Sequence, residues 1–462
     1  MNGRQNEKTT LSAKKLSSLL FFSLLISMSP SVSTGAEIAL TVNDIRQRAL
    51  EFNRGYLSAR EDISLAQSEV TKARSGALPQ VNLSVDYSRN LKIPSQFVQF
   101  GDEIEEMKFG FKNNFSYGLS VQQPLWHGGK VFTAYKIAKD YRRYAVNGAE
   151  AVKASVVYNA EILFYATILE SARWEVYKKA FEANSHNFDV AEKKFNQGMA
   201  SKYEYLRAQV ERDNLKPLLI KAESDVNLAK KRLKSYLGYD LNDEIAIIEE
   251  KDDTSLTGLL PLVELVAKAV KERPEMIQAE YLTRISQRAI RVAKGGFYPS
   301  FDAFMQYGWQ GVSDDFTLKE NNSRSWTTGV TMSLPIFNGG LTFGEVSASK
   351  AQYNQAKLAE RQVRDDIRLE VEAAYDALFQ AKKSLDIQGV TIAQAEEGLR
   401  IANLRYESGV GTQLEVLSAQ AALTDARTAL AEALFMFRQA KAGLKKATTI
   451  DINNTEKDYE QE

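Results

Sequence analysis

Two histidines, His127 and His186, supply all the imidazole in this chain of 462 residues, and it contains no cysteine. Disulfides, thiolate nucleophiles and cysteine zinc sites are therefore excluded, and a histidine-rich metal site is out of reach. His127 follows Trp126 in VQQPLWHGGK and reads as an interfacial aromatic, whereas His186 sits in a polar helical stretch and reads as solvated. Carboxylate pairs such as Asp365-Asp366 have the chemistry of an acid and a base, but nothing in the pattern converges on them, so they read as helix surface. No catalytic, cofactor-binding or metal site is expected. The 59 basic and 59 acidic residues cancel, so no nucleic-acid partner is expected.

The chemistry that remains is that of backbone joints and charged tips, and these come in pairs. VQQPLWHGGK at 121–130 matches MSLPIFNGGL at 332–341: a proline, two apolar residues, a spacer and two glycines. Pro124, Gly128 and Gly129 thus correspond to Pro335, Gly339 and Gly340, at a shift of 335 − 124 = 211. Gly198 meets Gly409 at the same shift, while Leu40 meets Leu260 and Gly76 meets Gly296 at 296 − 76 = 220. The difference of nine residues places an insertion between Pro79 and Pro124 of the first copy. The chain reads as a tandem repeat. The first copy, 37–259, holds a helix, a β-hairpin at about 79–125, a helical hairpin at about 130–237 and a linker. The second, 260–449, holds a helix, a β-hairpin at about 299–336 and a helical hairpin at about 341–447, and a polar tail follows at 450–462. Ahead of both copies, Lys14-Lys15, the apolar run Leu16–Ile26 and Thr34-Gly35-Ala36 predict a secretory signal over 1–36, cleaved after Ala36. That run is shorter than the roughly 20 residues of a spanning helix, and no later segment reads as apolar enough to be one.

The strand-like runs alternate. Val81, Leu83, Val85 and Tyr87 oppose Asn82, Ser84, Asp86 and Ser88, and Tyr117, Leu119 and Val121 oppose Ser116, Gly118, Ser120 and Gln122. In the second copy Phe301, Ala303, Met305, Tyr307 and Trp309 lie on one side, as do Trp326, Thr328, Val330, Met332 and Leu334. Period-two alternation gives one apolar and one polar face. Runs of about 10 residues can cross a bilayer when tilted. Four strands cannot close a barrel, because outer-membrane barrels have at least about 8, and an open edge in lipid leaves backbone groups unpaired. The chain is therefore expected to oligomerise. The loops around 90–113 and 311–325 are expected to face the cell exterior.

The helical runs carry heptads. Leu378, Leu385, Ile392, Leu399 and Tyr406 step by seven beside Ala374, Ala381, Ala395 and Ala402, and Val416, Leu423, Leu430, Phe437 and Leu444 continue the step. The first copy has Trp174, Phe181, Phe188 and Phe195 instead. A strict seven-residue repeat makes helices supercoil around neighbours. Pro217 is expected to kink the returning helix. At the joints, Pro124 and Pro335 are expected to end the strand ladder, since proline has no N–H, and the glycines to make the turn.

The signal, the repeat, the P-[LI]-[WF]-x-G-G joints and the segment Tyr406-Glu407-Ser408-Gly409…Glu415-Val416-Leu417…Ala419-Gln420 together resemble TolC-like outer-membrane efflux proteins. The resemblance covers nearly all of the chain after the signal. It implies an α+β membrane protein: a homotrimer whose 12-stranded β-barrel in outer-membrane lipid continues into a long periplasmic α-helical barrel. It implies the exit duct of an efflux or type I secretion system, working with a periplasmic adaptor and an inner-membrane RND or ABC transporter. The competing reading is a periplasmic coiled-coil adaptor or scaffold, but no lipoyl-like β domains flank a single helical hairpin here. The resemblance also places the gate at the tips, where Gly198 and Gly409 turn the hairpins. Glu415 stands where the family has a first pore-ringing aspartate, Ser418 where it has a second, and Gly411 where one member has a basic gating residue. Three Glu415 carboxylates around a narrow axis are expected to attract cations. Glu204, the first-copy equivalent, is expected at the adaptor contact rather than in the pore.

Overall fold

Where the hydrophobic period changes from two to three and a half, the backbone changes from strand to helix. The structure is a computed structural model that describes residues 38–101, 103–249, 254–256, 258–316 and 322–449. The expected signal at 1–36 and tail at 450–462 lie outside the described residues. The first half runs β1 (Ile38–Leu40), α1 (Val42–Phe52), α2 (Arg54–Ser75), β2 (Gln80–Arg89), β3 (Ser95–Phe100), β4 (Glu103–Lys108), β5 (Asn113–His127), α3 (Lys130–Asn196) and α4 (Lys202–Leu237). After β6 (Ile245–Ile247), the second half runs α5 (Leu262–Glu272), α6 (Pro274–Lys294), a 3-10 turn at Gly295–Phe297, β7 (Ser300–Ser313), β8 (Asn322–Ser333), α7 (Leu341–Glu407) and α8 (Gln413–Thr448).

The main sheet is antiparallel in the order β2–β5–β7–β8. Its register aligns the alternating runs. Leu83 faces Leu119, Leu119 faces Tyr307, and Tyr307 faces Trp326, so one apolar face spans all four strands. Tyr117 stacks on Trp309 at 5.1 Å, and Tyr307 lies 4.8 Å from Trp326. This face has nothing over it: Val81, Leu83, Val85, Trp326, Val330 and Met332 are all exposed. Ser84, Gly118, Gly308 and Ser325 line the opposite face.

The loop of the first hairpin is not merely polar. It folds into a second antiparallel ribbon, β3–β4, which exposes Phe97 and Ile104. The link between the copies carries a strand, β6, which pairs in parallel with β1.

Helices α3 and α7 have 67 residues each, about 100 Å at 1.5 Å per residue. In the half nearer the sheet α2, α3, α6 and α7 pack in that order; in the half nearer the tips the order is α4, α3, α8, α7. Leu378, Ala381 and Ala402 of α7 and Val416, Leu423, Phe437 and Leu444 of α8 are buried, which puts the heptad rows in the seam between them. In the first copy the seam is aromatic: Phe188 and Phe195 pack on Tyr205 with ring centroids 5.5 Å and 5.2 Å apart. Helix α4 continues through Pro217.

Two cores sit partway along the long helices, one per copy. Leu40, Ile45 and Ala49 pack on Phe164, Leu233 and Leu237. Leu265, Ala269 and Met276 pack on Val371, Leu378, Phe437 and Leu444. Short helices make this possible, because the chain breaks between α1 and α2 and between α5 and α6. Asn53 ends α1 and caps α2, accepting from the N–H groups of Gly55 and Tyr56 at 2.9 and 3.2 Å. Arg273 and Pro274 make the second break. Three arginines brace these pieces: half-buried Arg46 reaches Glu161 of α3 at 2.5 Å, buried Arg438 of α8 reaches Glu249 at 2.6 Å, and buried Arg273 reaches Glu275 and, on α7, Glu370 at 2.9 and 2.5 Å.

One expectation needs correction. Helix α3 does hold a stretch long and apolar enough, by length and composition, to cross a membrane. Val156, Ala160 and Phe164 of that helix are buried against α1 and α4.

Candidate functional site

Two regions at opposite ends of α3 and α7 hold the residues singled out from the sequence. At the upper end are the joints. The ladder does not stop at Pro124, contrary to expectation. Strand β5 runs through Pro124, which pairs with Asp302, and on to His127. The register shifts between Pro124 and Trp126, so a bulge absorbs the missing N–H. Pro335 lies beyond Ser333, the last residue of β8. The glycines then turn the chain with left-handed backbone, φ 59° and 75° at Gly128 and Gly129, and 65° and 85° at Gly339 and Gly340.

The two joints differ in what they touch. A Cβ on Gly128 would lie 2.5 Å from the Gly295 carbonyl oxygen, so this joint is wedged against the end of α6. Trp126 packs on Tyr298 and Phe301 at 6.1 and 6.2 Å. His127 is more than an interfacial aromatic: its Nε2 lies 3.0 and 3.1 Å from the two carboxylate oxygens of Asp302. In the second joint Ile336 and Phe337 are 94% and 87% exposed, and a Cβ on Gly339 would meet nothing.

At the lower end are the tips. Gly198 and Gly409, at φ 72° and 76°, end α3 and α7. Ser201 and Thr412 cap the returning helices, accepting from the N–H groups of Glu204 and Glu415 at 3.2 and 3.3 Å. The two glutamates occupy the same third position, yet their carboxylates differ. Glu204 folds back to accept from the Ser201 N–H at 2.9 Å, completing a capping box. Glu415 accepts from the Thr412 hydroxyl at 3.4 Å through Oε1 and meets Arg405 through Oε2, at 3.2 Å from Nε. Gly411 lies under that arginine, and a Cβ there would sit 2.8 Å from Arg405 Cβ and 2.9 Å from its carbonyl carbon. Ser418 is exposed on the first turns of α8. The tips are joined by Lys194, whose Nζ donates to the Tyr406 hydroxyl at 3.2 Å and lies 4.2 Å from its ring centre.

The structure thus gathers Gly411 and Glu415 at one tip and Gly198 and Glu204 at the other, with the six joint residues far above. Arg405, Lys194 and Asp302 were not singled out from sequence. Arg405 and Lys194 find their partners only once the hairpins turn, and Asp302 meets His127 only through strand register. The arrangement offers fixed charges at the tips and exposed apolar side chains at the sheet end.

The sequence profile of the outer membrane efflux protein family matches residues 45–239 and 265–449. The fusaric acid resistance protein FusA of Burkholderia cepacia is 27% identical over 288 residues, 62% of this chain and 53% of that protein, so the match spans about half of its length. The outer membrane protein TolC of Vibrio cholerae is 20% identical over 444 residues, 93% of this chain and 97% of that one. Among solved structures, the Campylobacter jejuni CmeC outer membrane channel superposes with a TM-score of 0.75 at 19% identity, covering 91% of this chain and 89% of that one. It shares the fold.

Proposed function

The chain belongs to the outer membrane efflux protein family, and on that premise we propose that it is the exit duct of a tripartite efflux or type I secretion system. It resides in the outer membrane and extends into the periplasm. It is a conduit rather than a catalyst. The observation that carries the reading is the bare apolar face of the β2–β5–β7–β8 sheet, flanked by two unpaired edge strands. In lipid such edges must be paired.

The rest of the protomer has matching edges. Helices α2 and α4 pack on α3 away from α7, so β2, α2 and α4 form one flank, and β8 and α7 form the other. Exposed apolar residues line both: Tyr203, Leu206, Val210 and Ile220 on α4, and Ile387, Val390, Ile401 and Leu404 on α7. They stand at matching depths. Tyr203 and Ile220 lie 1 and 18 residues above the start of α4, and Leu404 and Ile387 lie 3 and 20 above the end of α7. One flank can therefore seat on the other in an antiparallel coiled coil. The joints agree. Trp126 packs on Tyr298 within a chain. Their repeat equivalents, Phe337 (337 − 126 = 211) and Leu78 (298 − 78 = 220), lie on opposite flanks, both exposed.

Such a head-to-tail contact closes into a ring. Two copies give 2 × 4 = 8 strands, whose interior side chains fill. Three give 3 × 4 = 12 and leave a lumen, so the proposed assembly is a homotrimer. Its tips, with Gly198, Glu204 and Gly409, meet a periplasmic adaptor that links the duct to an inner-membrane RND or ABC transporter, while Glu415, Ser418 and Gly411 line the gate. Light scattering on the detergent-solubilised protein tests the assembly. The expected particle is a trimer, and a monodisperse monomer with full strand content would overturn it.

A further inference from the structure

Glu415 does not stand alone at the tip, and its partner comes from an unexpected position. Thr412 opens α8 and fixes the first turn by accepting from the Glu415 N–H. The glutamate side chain then projects back across the tip turn and meets the last turn of α7 at Arg405, 3.2 Å away. The turn is tight: the N–H groups of Val410 and Gly411 both donate to the Arg405 carbonyl, at 3.0 and 2.8 Å. A side chain at position 411 would collide with the Arg405 backbone, so no basic residue can occupy that position in this turn. The cation is supplied ten residues before the carboxylate instead. In the first copy the equivalent position, 405 − 211 = 194, holds Lys194, which turns to Tyr406 of the other hairpin, while Glu204 is engaged by Ser201.

We propose that Arg405 is a selectivity-determining residue of the duct: it partly neutralises the Glu415 carboxylate in place and thereby sets the net charge that permeating ions meet at the tips. The proposal rests on the placement of Glu415 in the pore. Both side chains are about half exposed, at 54% and 42%, so the pair is screened by salt rather than locked. Its effect is on charge, since an exposed pair of this kind adds little to stability.

The test uses the full-length protein in planar bilayers. Reversal potentials are read in a KCl gradient, and block is titrated with hexaamminecobalt(III). Arg405→Gln should raise cation selectivity and tighten block by up to about fivefold, the scale of an exposed ion pair. Glu415→Gln should lower both. The double variant, whose pair has the same net charge as wild type, should fall between the two single variants. In 1 M KCl, where the screening length is about 3 Å, the Arg405→Gln difference should vanish. Arg405→Met, which keeps the stem over Gly411 and removes the charge, should reproduce Arg405→Gln and serves if the glutamine variant fails to assemble. If Glu415→Gln shifts selectivity and neither arginine variant does, Arg405 has no such role. If the arginine variants reduce cation selectivity, the sign of the argument is wrong. If none of the variants differs from wild type, Glu415 is outside the conducting path and the underlying placement fails with the proposal.

Discussion

Alanine at Gly128 and at Gly129 should have unequal costs, although the two residues are adjacent and both left-handed. Their φ values, 59° and 75°, impose a similar backbone penalty on any residue with a Cβ, about 1–2 kcal/mol. At Gly129 that is all, because a Cβ would meet nothing within 4 Å. At Gly128 the new methyl would sit 2.5 Å from the Gly295 carbonyl oxygen and 3.0 Å from Tyr298 Cβ. Backbone cannot swing aside as a long side chain can, so an overpacking cost of about 1–3 kcal/mol is added. Gly128→Ala should therefore lose about 2–5 kcal/mol and Gly129→Ala about 1–2 kcal/mol. Urea unfolding in detergent micelles, followed by tryptophan fluorescence, measures both, and Trp126 sits in the disturbed contact. Equal losses, or a larger loss at Gly129, would refute the claim that the first joint is wedged on the end of α6.

Leu378 is fully buried among Val371, Phe437 and Leu444, so Leu378→Ala should cost about 2–5 kcal/mol in the same unfolding assay. Glu204→Gln should leave ion selectivity unchanged in bilayers while Glu415→Gln shifts it, as follows from placing Glu204 at the adaptor contact and Glu415 in the pore. Acid should weaken the core of the second copy. Burial pushes the Glu275 carboxyl up, but its hydrogen bonds and the Arg273 charge outweigh this and hold it below its ordinary value of 4.5. A carboxylate with a lowered folded pKa stabilises the fold above its unfolded pKa, and that contribution disappears as pH falls through the folded value. Melting temperatures scanned downward from pH 5 should therefore drop less steeply for Glu275→Gln than for wild type.

What the sequence made legible is what local periodicity encodes. Val81, Leu83, Val85 and Tyr87 alternate because a pleated strand does, and the Leu378 and Val416 rows step by seven because a supercoiled seam does. What it hid depends on partners brought from afar. The bulge at Pro124 follows from how β5 registers on β7, and a proline alone says only that one N–H is missing. The β3–β4 ribbon is written in residues such as Glu103, Glu105 and Glu106, which have poor strand propensity and no apolar alternation. The break before α2 was marked by Asn53 ahead of Gly55, and the break before α6 by Pro274, but each lies within a long helical pattern. Arg405 stood beside the segment that carried the family resemblance, yet only the tip turn brings it to Glu415.

The three-residue pairing of β1 with β6 has a consequence for the order of folding. Ile38 aligns with Ile245, 245 − 38 = 207 positions later, and the strands run parallel, so no hairpin turn can make the contact. A chain that enters the periplasm N-terminus first carries β1 in with its partner still to come. The pairing must wait until α3 has run its full length and α4 has come back. Loop closure over such a distance is entropically slow to set up, although each doubling of length adds only about 0.6 kcal/mol. The little parallel sheet can therefore form only when the first helical hairpin has turned, and it ties the start of α1 to the chain that leaves α4.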